Sequence, residues 1–492
     1  MPRIVPIAAV LALAIVGIAT RAHDRQIRGL DYDERATVEF VEIATPEVFG
    51  EYVSLKNPRE PGGIDPHAIS MEDFRTFPAF YVFTRAVHVP DDHLLNLTRL
   101  RWISIIAGGL TVPLAYLLGL RFGAAAAWLT ALFTLLHPAL HFHAHNIRFY
   151  ALLGFASTGG LAWYVWAMPA LPRLLDDPNR RRLGWVLLAA SGAVVGLMLT
   201  VHLGAIFPLA AMLVIAWYHL GFSRKLAWLI FFAAIFSAIP LANVGFFFYT
   251  RTFVDKSAAD MINSGGPISG LAAVAFNAGF GYCVLAGWSL FALWRSESRS
   301  VIWGLAIGTF GIVAAFALKA SMLRADYALG LFPLVLLASA LQIIAIASAS
   351  SLPRTTGLLV MALALLLVLP SFWSMFAIDG DRVDYPSAIR YIRADAGDRR
   401  SAVFAESPFA MDYLDTAPGL RPEYFPAKEA GERDLSHYER VYYVMREVKG
   451  LRTDRFAFAK FNRLDGKLVE IIGKDRLDLR VCRLYIFRAV RD

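Results

Sequence analysis

Long blocks of apolar residues, cut by short basic hinges, constrain this chain more than any motif in it. The first block begins near Ile4 and ends near Ala19, and "RWISIIAGGLTVPLAYLLGLRFG" (Arg101–Gly123) is typical of those that follow. A helix needs roughly 20 apolar residues to cross the hydrocarbon core of a bilayer. By that measure spans fall near 4–20, 98–119, 123–141, 149–170, 183–200, 203–220, 226–248, 268–294, 301–318, 327–347 and 356–376, about eleven in all. Composition agrees: 57% of residues are hydrophobic and 18% charged, where a soluble chain carries about 25% charged residues. The expected fold is an all-α polytopic membrane protein of about 11 transmembrane helices, followed by a small C-terminal extracytoplasmic α/β domain.

The first block, about sixteen apolar residues, is at or beyond the length of a cleaved signal segment, and many spans follow it, so it reads as an uncleaved first helix. The net charge of +8 comes from scattered arginines, an arrangement that fits membrane orientation better than nucleic acid. Cys283 and Cys482 lie far apart and suggest neither a disulfide framework nor a metal cluster. No internal repeat supports a repeat-built transporter.

The basic hinges give orientation. With the N-terminus inside, the inside loops carry Arg3, Arg121, Arg173 with Arg180, Arg181 and Arg182, Arg224 with Lys225, Arg295 with Arg299, and Arg354. Segment 21–97, loop 249–267 and the tail then share the other side. The tail changes character at "FAIDGDRVDYP". A helical pattern covers 384–395, and "SAVFA", "RVYYVM", "KLVEIIG" and "RVCRLYIFRAV" alternate like strands. The expected organisation is therefore a transmembrane catalytic module over 1–378 and a soluble α/β domain over 379–492. Within the module, "VEFVEIATPEVFGEYV" suits an interfacial helix as well as a solvated loop, and loop 249–267 suits a lid as well as a plain connector.

Polar groups in or beside the spans are costly in lipid and therefore informative. On this topology they gather on the outer face. Asp31, Asp33 and Glu34 follow the first span, and "HPALHFHAHNIRFY" (His137–Tyr150) joins two spans. His202 sits at an outer turn, Tyr249, Arg251 and Lys256 in or beside the 249–267 loop, and Lys319, Arg324 and Asp326 between two later spans. Each has a plain reading: a carboxylate at a helix end is commonly just solvated, interfacial histidines commonly form a hydrogen-bonded belt, and an arginine there can hold lipid phosphate. Their convergence on one face argues for a site at headgroup level.

Four stretches then carry a resemblance. These are the acid pair Asp33-Glu34 in "LDYDERA" after the first span, "RWISIIAGGLTVPLAYLLGLRFG", "LHPALHFHAHNIRFYAL" and "DYALGLFPLVLLASAL". Together they resemble the GT-C glycosyltransferases, closest to the protein O-mannosyltransferase and lipid A aminoarabinose transferase group, through most of residues 20–400. Three positions depart from the family pattern. Asn146 stands where a glutamate is frequent, "TFPAFYVF" replaces "HPPLYYLL", and Asp326 occupies the place of an arginine before Tyr327.

The resemblance implies transfer of a sugar from a polyprenyl-phosphate donor to a glycan, lipid or protein hydroxyl, with inversion. It implies Asp33 as general base and Glu34 as its orienting partner. Arg148, Arg324, Lys319 and Tyr327 become the donor-phosphate candidates, and His145, Asn146 and His202 the acceptor or sugar contacts. No cofactor is fixed by the sequence, and the resemblance leaves room for a divalent cation. The arginine- and alanine-rich composition points to a bacterial inner membrane with site and tail in the periplasm, an endoplasmic reticulum location staying open. The rival readings are a lipid-linked-glycan transporter or flippase, a non-catalytic assembly subunit, and an O-antigen ligase or polymerase, which shares the lipid-linked substrate but not this early acid pair.

Overall fold

The computed structural model describes residues 4–22, 34, 37–38, 41, 78–88, 93–249, 266–319, 325–348, 355, 358–359, 362, 366, 385–405, 422–427, 429, 432–448, 451–452, 467–472 and 483–490. By packing, these residues divide into two compact units. One is drawn from 1–21, 57–85 and 103–373, the other from 22–56, 86–102 and 374–492.

The first unit is helical. Its elements include α1 (Ile4–Ala22), α2 (Pro78–Val87), α3 (His93–Leu120, whose first turns belong to the second unit), α4 (Ala124–Leu136) and α5 (Pro138–His143). Then come α6 (Tyr150–Asp176), α7 (Arg181–Leu199), α8 (Ile206–Leu220) and α9 (Arg224–Tyr249). A bent pair, α10 (Gly266–Ala278) and α11 (Phe280–Ala292), precedes α12 (Arg299–Lys319) and α13 (Phe332–Ala347). Six described helices are long and apolar enough to cross a membrane, or seven with the bent pair as one span, and three shorter apolar helices accompany them. The expected span 356–376 lies largely outside the described residues, as do loop residues 250–265 and nearly all of "VEFVEIATPEVFGEYV", of which Val38 and Val41 are helical and buried.

Two expected spans are broken. The 123–141 block ends its helix at Leu136, because Pro138 restarts one at α5 with His137 as the cap. Proline is well placed at the first turn of a helix and poorly placed in its interior. The 268–294 block bends by 93° between Ala278 and Phe280, where Gly279 takes φ 81°, a left-handed conformation open to glycine at little cost.

Helix contacts follow the small-residue rule of apolar bundles. Gly192 and Gly196, one turn apart on α7, let α9 approach until an added Cβ would lie 2.6 Å from Phe232 Cβ and 2.5 Å from the Phe236 carbonyl oxygen. The Asp326–Ala347 span is the most enclosed of the candidate spans and Arg224–Ala242 the least. The largely apolar α13, buried along most of its length, is thus central, and the phenylalanine-rich α9 is peripheral.

The second unit contains a mixed sheet ordered β2-β1-β3-β6-β5, with β4 on β3. The strands are β1 (Ser401–Ala405), β2 (Glu423–Pro426), β3 (Arg440–Val448), β4 (Leu451–Arg452), β5 (Lys467–Ile472) and β6 (Arg483–Val490). β1 runs parallel to β2 and β3, while β6 runs antiparallel to β3 and β5. Alternation sorts the side chains. Val403, Ala405, Tyr442, Val444 and Ile486 face Ala388, Ile389 and Ile392 of α14 (Tyr385–Ala396), while Phe404, Val441, Tyr443 and Met445 fill the other face with Phe425 and Leu435. Burial on both faces explains why "SAVFA" is an unbroken apolar run after Ser401.

Asp395, at the end of α14, pins helix to sheet. It accepts from the Tyr442 hydroxyl (2.6 Å) and Arg488 Nη1 (2.6 Å), and Arg440 lies 3.1 Å away. Burial pushes its carboxyl up, but these hydrogen bonds and guanidiniums outweigh that and hold it below the ordinary carboxylate range. A depressed folded-state pKa stabilises above the unfolded value and is lost as pH falls through the folded one. Asp395→Asn should therefore accelerate hydrogen exchange of β1, β3 and β6 at pH 6 by an opening free energy of about 1–3 kcal/mol. The difference from wild type should close on acidification below about pH 4. Equal protection at pH 6 would remove Asp395 as the pin.

Candidate active site

The site residues of the first unit gather where α4 breaks. After the His137 cap, α5 runs one and a half turns and the chain bends through 144–149 before α6 begins at Tyr150. This bend buries His137, His141, His143, His145, Asn146 and Arg148. Burial of so many polar groups requires partners, and several are present.

His137 Nε2–H donates to the Ala278 carbonyl (3.1 Å), while its Nδ1 accepts from Leu140 N–H (3.4 Å). It therefore caps the break in the α10–α11 pair. His145 Nε2–H donates to the Arg21 carbonyl at the end of α1. The fully buried Arg21 side chain reaches the Gly17 carbonyl (3.3 Å) in its own helix and the Thr134 carbonyl (3.0 Å) in α4. A guanidinium is well placed against the carbonyl-rich ends of two helices. These contacts fix α1 against the bend.

Arg148 is held from both sides. Its carbonyl accepts from Ser104 Oγ (3.4 Å), and its guanidinium lies 4.6 Å over the Phe149 ring. Phe149 stacks on His202 with centroids 4.3 Å apart and planes at 22°, and Tyr327 meets His202 edge-on at 4.5 Å. His202 Nδ1 accepts from Gly204 N–H (3.0 Å). A column of Arg148, Phe149, His202 and Tyr327 results, in which the cation is oriented by ring stacking.

Tyr327 and Asp326 ride on a 3-10 turn, Ala325–Leu331, that packs on a second one, Leu203–Ala205. The approach is too close for a side chain: a Cβ at Gly204 would lie 2.4 Å from the Tyr327 carbonyl oxygen and 3.0 Å from Leu153 Cδ2. Backbone cannot yield as a flexible side chain does. Gly204→Ala should therefore shift the turn at a cost of about 1–3 kcal/mol, seen as a lower melting temperature of the detergent-purified protein. An unchanged melting temperature would show that the turn relaxes freely.

Of the sequence-derived candidates, the structure brings together His145, Asn146, Arg148, His202 and Tyr327. Lys319 ends α12, with its side chain outside the described residues, and Asp33 and Arg324 also lie outside them. Glu34 is helical and buried and belongs to the second unit. Sequence reasoning missed Arg21 and Asn277, and gave Asp326 a place among the outer-face polar residues but no role. Asn277 Nδ2 donates to Asp326 Oδ1 (3.3 Å), and His143 Nε2 stands 3.4 Å from the same oxygen. Among the described residues no three His, Cys, Asp or Glu donors converge on a point that could hold a metal ion.

The first unit is thus helical, with polar side chains gathered where its helices break, and the second contains the mixed sheet. Among solved structures the chain is similar to ArnT from Cupriavidus metallidurans bound to undecaprenyl phosphate, at 17% identity over 99% of this chain and 98% of that one, with TM-score 0.50. It is also similar to the oligosaccharyltransferase AglB from Archaeoglobus fulgidus in complex with an inhibitory peptide and a dolichol-phosphate (11% identity, 90% and 69% covered, TM-score 0.48). A third is the Archaeoglobus fulgidus oligosaccharyltransferase in complex with Zn and sulfate (13%, 88% and 67%, TM-score 0.46). At this identity the likeness to ArnT is one of fold. No protein-family model and no curated protein matches the chain.

Proposed function

We propose that this protein transfers a sugar from a polyprenyl-phosphate donor to an acceptor hydroxyl at the periplasmic face of a bacterial inner membrane, inverting the anomeric carbon. The observation that carries the reading is the buried, ring-oriented Arg148, set at the bend between spans in a fold shared with a structure bound to undecaprenyl phosphate. A guanidinium offers a phosphate two parallel hydrogen bonds and stabilises the negative charge that grows on it as the glycosidic bond breaks. Tyr327, Arg324 and Lys319 are its companions on the donor side.

On the acceptor side, Asp33 takes the hydroxyl proton as the oxygen attacks, and Glu34 orients it. One displacement, with the phosphate leaving opposite the attacking oxygen, inverts the centre. His145, Asn146 and His202 border the sugar or the acceptor. With the shorter apolar helices and the 356–376 block counted as spans, the module has about eleven. The basic hinges put 21–97, 249–267 and the 379–492 domain on the same outer side. The acceptor class is a glycan, a lipid or a protein.

Mass spectrometry of the gently purified protein tests the reading. A co-purifying polyprenyl phosphate or its glycosyl ester is the expected result. A sample that neither carries one nor binds added undecaprenyl phosphate would overturn it.

A further inference from the structure

Beside the Arg148 column lies a second group of polar side chains, of which the transfer scheme assigns a role to Asn146 alone. His143 comes from α5, Asn146 from the bend, Asn277 from the last turn of α10 and Asp326 from the 3-10 turn before α13. Asn146 Nδ2 approaches His143 Nδ1 (3.4 Å), so that nitrogen accepts and the proton sits on Nε2. Nε2 faces Asp326 Oδ1 at 3.4 Å. The Asn277 amide donates to the same oxygen at 3.3 Å. Two donors from separate elements thus fix one carboxylate oxygen, and the rotamer is set before any ligand arrives.

The two ends of this group differ in access. The His143 side chain is 5% exposed and that of Asp326 is 18% exposed, so an incoming molecule meets the carboxylate first. Its chemistry narrows the choice of ligand. A carboxylate only accepts hydrogen bonds and binds hydroxyl donors well, whereas it repels a phosphate. We propose that Asp326 binds a hydroxyl of the donor's glycosyl group, with His143 and Asn277 as positioning residues that hold the carboxylate. This rests on the glycosyl-transfer reading above and adds to it which end of the donor each part of the site takes: Arg148 the phosphate, Asp326 the sugar.

The test is native mass spectrometry of the detergent-purified full chain, titrated with undecaprenyl phosphate and with its glucosyl, mannosyl and arabinosyl esters. Wild type should hold at least one ester about tenfold more tightly than the bare carrier, the worth of one charge-assisted hydrogen bond. Asp326→Asn should erase that preference and leave bare-carrier affinity unchanged. Asn277→Ala keeps the carboxylate and removes one anchor, so it should reduce the preference in part, and it decides the matter if Asp326→Asn does not fold. Wild type that retains no undecaprenyl phosphate overturns the lipid-donor reading and this inference with it. Wild type that binds the carrier without preferring any ester, or a folded variant that keeps the full preference, overturns this inference alone.

Discussion

Asp33→Asn should leave the protein folded, inserted and able to hold its lipid donor while turnover falls by about 100-fold or more. Asparagine keeps the size and much of the hydrogen bonding of aspartate but cannot accept the acceptor's proton at neutral pH. Asp33 lies outside the described residues, so the expectation rests on its place directly after the first span and on its pairing with Glu34, which is buried. Asp31→Asn should be milder, because only Asp33 belongs to the matched pair. A purely structural acid gives the reverse pattern, with lower expression or melting temperature and intact specific activity in the surviving protein. Both quantities are measurable on one purified sample once the acceptor is known. Full activity in Asp33→Asn would return "DYDE" to a solvated helix end.

Arg148→Ala should weaken donor use more than folding. Losing one charge-assisted hydrogen bond to the phosphate costs about 1.5–3 kcal/mol, roughly tenfold or more in donor affinity or rate. Some loss of stability accompanies it, since the guanidinium also packs on Phe149. The two effects separate in Arg148→Lys, which keeps the charge but not the planar fork or the stacking: rescue should be partial. Unchanged donor affinity and turnover in a purified Arg148→Ala sample would reject the phosphate role.

Much of this fold was legible because membrane helices and buried strands write themselves as runs. The α/β tail was read to within a few residues: a helix over 384–395 is found over 385–396, and "SAVFA" and "KLVEII" are strands as expected. The short strand "EYFP" escaped, being four residues long with only one of them buried. Two breaks within expected spans were missed, though each had a local mark in Pro138 or Gly279. The polar bend was legible where its residues run together in one motif, as His143, His145, Asn146 and Arg148 do. It was not legible where distant residues meet, as Asn277 and Asp326 do. Asn146 and Asp326 read as two unrelated departures, yet both touch His143. His137 and His145, alike in sequence to any catalytic pair, are engaged with backbone carbonyls of α10 and of Arg21.

The burial of Arg21 bears on how the chain is made. Its side chain finds a partner at Thr134, 113 residues downstream. At ordinary synthesis rates, on the order of ten seconds separate the emergence of the two from the ribosome. During that interval the guanidinium belongs at the lipid headgroups, reached by extending its aliphatic stem, since a charge inside the bilayer is costly. The first helix therefore enters the membrane in a provisional position, and it reaches its final depth only when the helix bearing Thr134 has been inserted beside it. Biogenesis of this protein thus has a built-in order, in which the earliest span settles only after α4 has entered.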